Sequence, residues 1–126
     1  MKLHLDTSFL INSLVPGSSE GILLRGWLRD GASIEISSIG WAEFLCGPLD
    51  SSDIQLASRV VATTVSFMAE DAVLSASLFN DSGRRRGSLT DCMIAATAVR
   101  ADASLATSNP ADFGRFETMG LSIVTI

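Results

Sequence analysis

The sequence is poor in the residues that would build a covalent or soft-metal scaffold. Its 126 residues include two cysteines, one histidine and three prolines. Cys46 and Cys92 lack C-x-x-C spacing, and with His4 as the lone imidazole no zinc-ligand set can be assembled. Both thiols are expected to be reduced and partly buried. So few prolines, with 10 glycines, exclude collagen-like and low-complexity chains. Lysine is almost missing: Lys2 is the only one, the other bases being arginines, and the net charge is −5. A chain that held nucleic acid by bulk electrostatics would lean the other way, so any such role must be local or carried by bound cations. No apolar run approaches the ~18 residues that span a bilayer. Asp6 stands where an export signal needs its apolar stretch, so a cytoplasmic protein with no membrane contact is expected.

What is abundant is apolar side chain: 47% of residues are hydrophobic and 18% charged, which excludes a disordered chain. This length suits one domain, expected over 1–126, burying roughly two thirds of its unfolded surface. Lys2 to Leu5 alternates and runs into Asp6-Thr7-Ser8, a strand followed by a helix start. Phe9 to Val15 and Ser18 to Leu28 have helical spacing, broken by Pro16-Gly17. Ser33 to Ser37 alternates as a second strand, and Ser37-Ser38 caps a helix ended by Gly47-Pro48. Residues 51–82 read as two helices with their seam at Val61 to Val65, and Arg84-Arg85-Arg86-Gly87 as a basic turn. Thr90-Asp91 caps an apolar helix ending near Asp102; Ser104 to Thr107 and Ser122 to Ile126 are the last strands, separated by a turn at Asn109-Pro110 with one helical turn after it. Strands separated by helices imply an α/β fold with a mostly parallel central sheet flanked by helices.

In such sheets chemistry gathers beyond the carboxyl ends of the strands. Asp6 follows the first strand, Glu43 lies in the helix after the second, and Asp91 starts the helix leading to the third. Asn109 and Asp112 follow that third strand. Acids drawn together at one sheet edge make an oxygen-only cage suited to Mg²⁺ or Mn²⁺. Each has a plainer role as well, since Asp6 and Asp91 at helix starts are of the type that cap. Glu43 interrupts the apolar run Ile39 to Leu45, where burial would demand a partner. Glu20, Asp50, Asp53, Glu70, Asp71, Asp81 and Glu117 read as solvated, and His4 as a plain strand residue. Phe9, Leu10, Ile11, Leu14, Leu23, Leu24, Trp27 and Leu28 offer more apolar area than one sheet face needs, which suggests a partner surface.

Four segments carry a resemblance: L-D-T-S-F-L-I-N at 5–12, S-S-I-G-W-A-E-F-L-C-G at 37–47, L-T-D-C-M-I-A-A-T-A at 89–98 and L-A-T-S-N-P-A-D-F at 105–113. In order and spacing they resemble the blocks of the PIN domain, in particular the VapC-type toxins of type II toxin–antitoxin pairs. The resemblance implies a PIN-like domain that acts as a Mg²⁺- or Mn²⁺-dependent endoribonuclease. It further implies RNA as substrate, a cognate VapB-type antitoxin that silences the enzyme, and a homodimer. It assigns Asp6, Glu43 and Asp91 to metal binding and catalysis. The fourth acidic position departs: many members read T-x-D, whereas this chain has Thr107-Ser108-Asn109 with Asp112 three residues on, as in relatives that read T-x-N-x-x-D-F. Asp112 is the expected fourth ligand and Asn109 its alternative. Thr7, Ser8, Arg84, Arg85 and Arg86 are expected at substrate phosphates. Two other readings compete. One is a catalytically inactive PIN-like module that binds RNA or protein. The other is an aspartate-nucleophile phosphate enzyme, which wants a second Asp where Ser8 stands.

Overall fold

Hydrophobic alternation in Lys2–Leu5 produces the central strand of the molecule, β1, in a computed structural model that describes residues 1–124. Leu3 and Leu5 point to one face and are fully buried; His4 points to the other and is buried too. Four more strands, β2 (Ser33–Ser37), β3 (Thr63–Val65), β4 (Ser104–Ala106) and β5 (Ser122–Ile123), pair in the order β3-β2-β1-β4-β5, every pairing parallel. Parallel neighbours need crossovers. These are α1 (Thr7–Ser13) with α2 (Ser19–Arg29), α3 (Ser38–Leu45) with α4 (Ser51–Val60), and α5 (Ala69–Asp81) with α6 (Leu89–Arg100). A one-turn α7 (Pro110–Phe113) and a 3₁₀ helix (Gly114–Met119) lead into β5.

The helices cover both faces of the sheet. Leu3, Leu5, Phe9, Leu10, Ile34, Ile36 and Phe44 form one core, with Trp27 stacked 5.5 Å from Phe9. Leu78, Ile94, Leu105, Phe113 and Phe116 form the other, and α6 lies across it through Ala95, Ala96 and Ala98. Each fully buried Phe or Leu contributes roughly 1.5–3 kcal/mol. Small residues set two close approaches. A Cβ on Gly21 would lie 2.8 Å from the Ser13 carbonyl oxygen, so α2 closes against α1 only with no side chain there. The alanines of α6 let that helix settle low on the strands.

Several sequence expectations are corrected. The seam at Val61 to Val65 contains β3, an exposed edge strand of three residues, too short to show a period. Helix α6 begins earlier than Thr90-Asp91: Ser88 is its N-cap and Asp91 its third residue. The last strand is Ser122–Ile123; Thr125 and Ile126, also read as strand, lie outside the described residues. Glu35, at the centre of β2, is buried because both faces of the sheet are covered: its Oε1 lies 2.8 Å from His4 Nδ1, its register partner on β1. Asp71 is likewise buried rather than solvated. Of the apolar side chains on α1 and α2, Phe9, Leu10 and Leu24 belong to the core and Leu14, Leu23 and Trp27 pack against it, leaving Ile11 and Leu28 exposed.

Candidate active site

The strand order reverses between β1 and β4: the chain builds outward through β2 and β3 on one side, then through β4 and β5 on the other. Ligand-binding crevices open at such a reversal. Here the carboxyl ends of β1, β2 and β4 stand side by side, and a cavity of about 240 Å³ beyond them is lined by Asp6, Thr7, Ser8, Glu43, Asp91, Asn109 and Asp112.

Asp6 is the floor, with 3% of its surface exposed. It caps α1 in extended backbone conformation, its Oδ1 accepting from the Phe9 N–H at 2.8 Å and from Ser8 Oγ at 3.0 Å. Thr107 Oγ1, at the end of β4, donates to Oδ2. The cap reading and the site reading of Asp6 are thus compatible in one residue. Burial pushes this carboxyl above the usual range; the three donors work against the shift and Glu43 adds to it.

Glu43 corrects an expectation. The apolar run around it buries Phe44 on the core side, and Glu43 itself is exposed, since a helix of that composition turns one side to solvent. It belongs to the cavity wall nevertheless: its Oε1 accepts from Thr7 Oγ1 at 2.8 Å, a bond between the helices that follow β1 and β2. Asp91 is half-buried at the first turn of α6. Burial raises its carboxyl first; Asp112, Glu43 and Asp6 raise it further, opposed by the guanidinium of Arg115.

At the fourth position Asn109 is exposed, its Nδ2 donating to Ser8 Oγ at 3.3 Å and its backbone N–H to Thr107 Oγ1 at 2.9 Å. One turn of α7 brings Asp112 onto the same cavity. Its Oδ1 is 3.9 Å from Arg85 Nη1, a loose contact between exposed groups worth ~0–1 kcal/mol. Of the three loop arginines, Arg85 and Arg86 face the acids from a second cavity, whereas Arg84 turns back to Asn80 and over the Phe79 ring.

Two groups of residues escaped the sequence reading. Arg115, in the 3₁₀ helix, lines that second cavity with Asp91 and Asp112; a lone arginine after D-F carries no periodic signal. On the opposite rim Glu20, read as solvated, accepts from Ser108 Oγ at 2.8 Å, tying α2 to the end of β4.

The donor set is carboxylate, hydroxyl and amide oxygen, which is what a small hard cation selects. Among the described residues no three His, Cys, Asp or Glu side chains converge on one point; they line a wall. That fits Mg²⁺, which keeps several waters and takes only one or two carboxylates directly. Two carboxyls raised by burial and by neighbouring acids are the complementary sign, because a cation would lower both.

Comparison with known proteins agrees with the architecture. The family model described as "PIN domain" matches residues 3–118. No curated protein matches the sequence. Among solved structures, the chain is similar to one in VapBC2 from Rickettsia felis bound to a DNA fragment from their promoter, with 21% identity, 98% of each chain covered and a TM-score of 0.78. A DNA-bound VapBC from Salmonella typhimurium gives 20% identity, 98% and 97% coverage and 0.75. A toxin–antitoxin complex from Klebsiella pneumoniae gives 24%, 88% and 89%, and 0.71. Among the described residues no helix is long and apolar enough to cross a membrane.

Proposed function

Since the chain belongs to the PIN-domain family, we propose that it is a divalent-metal-dependent endoribonuclease, the toxin of a VapBC-type toxin–antitoxin pair. The observation that carries this reading is the gathering of Asp6, Glu43, Asp91 and Asp112, from four separate segments, around one cavity at the strand reversal. Clustering unpaired acids costs stability, and a fold keeps such a cost where function needs it.

Asp6 and Asp91 would hold Mg²⁺ or Mn²⁺, with Asp112, or in its place Asn109, completing the set. The cation supplies neutralisation of the phosphodiester charge and acidification of water. Asp6 is positioned for this by Phe9, Ser8 and Thr107, which fix its carboxylate plane. Glu43 keeps Oε1 on Thr7 Oγ1 and presents Oε2, which has no partner among the described residues, to take a proton from the attacking water. Ser8 Oγ can turn from Asp6 to a phosphate oxygen, and Arg85 and Arg86 offer cations to the flanking backbone.

The solved complexes similar to this chain are named VapBC and toxin–antitoxin complexes, which supports a VapB-type partner for it. Part of the apolar surface left over by the core lies between α1, α2 and α4. One hollow there is lined by Ile11, Leu14, Val15 and Leu49, another by Leu24, Leu28, Leu56 and Val60. An amphipathic antitoxin helix would dock there by its apolar face. A second copy of the chain completes the proposed assembly as a homodimer.

The test is cleavage of single-stranded RNA by the full chain with Mg²⁺ or Mn²⁺. Activity is expected to vanish in excess EDTA and in Asp91→Asn. Cleavage that persists in EDTA overturns the metal reading. RNA that is bound and left intact by the wild-type chain with either metal favours the inactive module.

A further inference from the structure

We infer that Arg115, together with Arg85 and the open N-terminus of α6, forms a seat for a second phosphate of the RNA chain, beside the one at the acids. This rests on the ribonuclease reading above. The seat is a cavity of about 210 Å³ whose walls include Arg85, Arg86, Ser88 and Arg115. It shares Asp91 and Asp112 with the acid cavity, so the two are contiguous.

Three independent features give it anion chemistry. Nε and Nη2 of Arg115 are buried without a partner that meets hydrogen-bond geometry among the described residues, beside the Cys92 thiol and with the guanidinium carbon 4.6 Å from the centroid of the Phe116 ring. Packed in this way the guanidinium is fixed at the cavity wall, and Nη1, the nitrogen that is not buried, is the donor that can meet a phosphate oxygen. Secondly, Ser88 caps α6 without a side-chain bond to the helix, its Oγ donating instead to the Arg85 carbonyl at 2.7 Å. The first amide donors of a helix of 12 residues, with its positive dipole end, therefore lack a side-chain acceptor. Thirdly, the loop carrying Arg85 is curled by left-handed residues, Arg84 at φ 54° and Gly87 at φ 79°. A non-glycine residue rarely adopts that conformation, and here it turns Arg84 away while Arg85 and Arg86 face the cavity.

A chain of net charge −5 that concentrates arginines beside its own acids has little else with which to hold a polyanion. An RNA strand offers a phosphate at every nucleotide, so one chain can place a phosphate at the acids and its neighbour on Arg115. Arg115 is thus a substrate-positioning residue that also tempers the acid cluster, since its charge opposes the rise at Asp91.

The experiment measures binding of a labelled single-stranded RNA to the full chain in EDTA, where nothing is cut, across a salt series. Variants are Arg115→Gln, Arg115→Lys and, as an exposed control on α4, Arg59→Gln. Arg115→Gln should weaken binding about tenfold and flatten the salt slope by about one. Arg115→Lys should recover part of both, and Arg59→Gln should match the wild type. A melting curve with inorganic phosphate gives a second reading: phosphate should raise the wild-type Tm and leave that of Arg115→Gln unmoved. Equal RNA affinity and slope in wild type and Arg115→Gln overturn the seat, as does loss of binding to poly-glutamate alone, which would mark an acidic-peptide site. Failure of the parent reading looks different: the wild type then binds RNA in an Arg115-dependent way yet cleaves none with Mg²⁺ or Mn²⁺.

Discussion

Asp6 and Asp71 are both buried acids at the start of a helix, and they are finished in opposite ways. Asp71 is 1% exposed, reaches back to the Met68 N–H at 2.8 Å, and meets Arg100 Nε at 2.6 Å. Arg100 is itself anchored on the Ser66 carbonyl. That is a closed account of charge, in which a cap, a counter-ion and a tether between α5 and α6 coincide. Among the described residues Asp6 has three neutral donors and no paired cation; the charge that acts on it is another acid, Glu43. Side-chain hydrogen bonds alone can satisfy its lone pairs but not its charge. The fold thus knows how to complete a buried carboxylate and has left one cluster incomplete, at the crevice where parallel sheets bind ligands.

The largest expected effect breaks this contrast on the side of activity. Asp91→Asn removes a proposed metal ligand and should lower RNA cleavage at least about a thousandfold, several kcal/mol of transition-state stabilisation. The same change removes a charge that its neighbours repel. Without added metal it should raise stability slightly, by ~0.5 kcal/mol after solvent screening of a half-exposed group. A cleavage assay beside a melting curve reads both signs. A variant that retains activity ends the assignment of Asp91.

Next is stability at the completed acid. Asp71→Asn keeps the shape but forfeits the charge opposite Arg100, and should cost about 2 kcal/mol, in the range for hydrogen bonds to charged groups. Asp6→Asn should cost less than that, because burial disfavours the charge it removes, while the amide forfeits part of the bonds from Phe9, Ser8 and Thr107. Urea melts of the two variants rank them, and a stabilised Asp6→Asn would mean that repulsion outweighs the donors.

Burial of the two acids was the part least legible from the chain. The four segments around Asp6, Glu43, Asp91 and Asp112 stood out because turn and cap chemistry marks strand ends locally. The parallel α/β architecture followed from strands spaced by helices. What could not be read were features decided by tertiary neighbours. Glu35 is buried because a second helix layer covers its face, and alternation within one strand does not say whether that layer exists. Asp71 looked like a first-turn surface acid until Arg100, 29 residues away, met it. The edge strand β3 spans three residues, shorter than any period test, and Arg115 becomes significant only beside α6.

A smaller effect follows from pH. The folded-state carboxyls of Asp6 and Asp91 are raised above the ordinary 3.8. The folded chain therefore binds protons more tightly than the unfolded chain at these sites. Their contribution is fully present below the unfolded value and is lost as pH rises through the raised one. Metal-free stability should fall across that acidic window, less so in Asp91→Asn, and saturating Mg²⁺ should flatten the slope. Glu20 and Asp50 are lowered and act in the opposite sense, so the difference between wild type and Asp91→Asn is the quantity to plot. A difference that does not change with pH would remove the electrostatic account of the cluster.

The smallest effect concerns the fourth ligand. Asp112 should matter more than Asn109 for metal affinity, because a carboxylate gives a hard cation a full charge and an amide only a dipole. The geometry sharpens this. Asn109 already spends Nδ2 on Ser8 Oγ, and its side chain is exposed at the rim. Asp112 is placed by α7 close enough to Asp91 to be the strongest charge raising it, and its contact with Arg85 at 3.9 Å is loose enough to yield. Mg²⁺ retains waters, so the Asp112 contribution can pass through one of them and be correspondingly modest, a few-fold in the metal concentration needed for half-maximal cleavage. Asp112→Asn is the cleaner variant, since it preserves volume and removes only charge. If Asp112→Asn raises the half-saturating Mg²⁺ more than Asn109→Ala does, the carboxylate completes the set. If the order reverses, the site runs on three acids and an amide, and Asp112 is left as the partner of Arg85, holding the arginine loop over the N-terminus of α6.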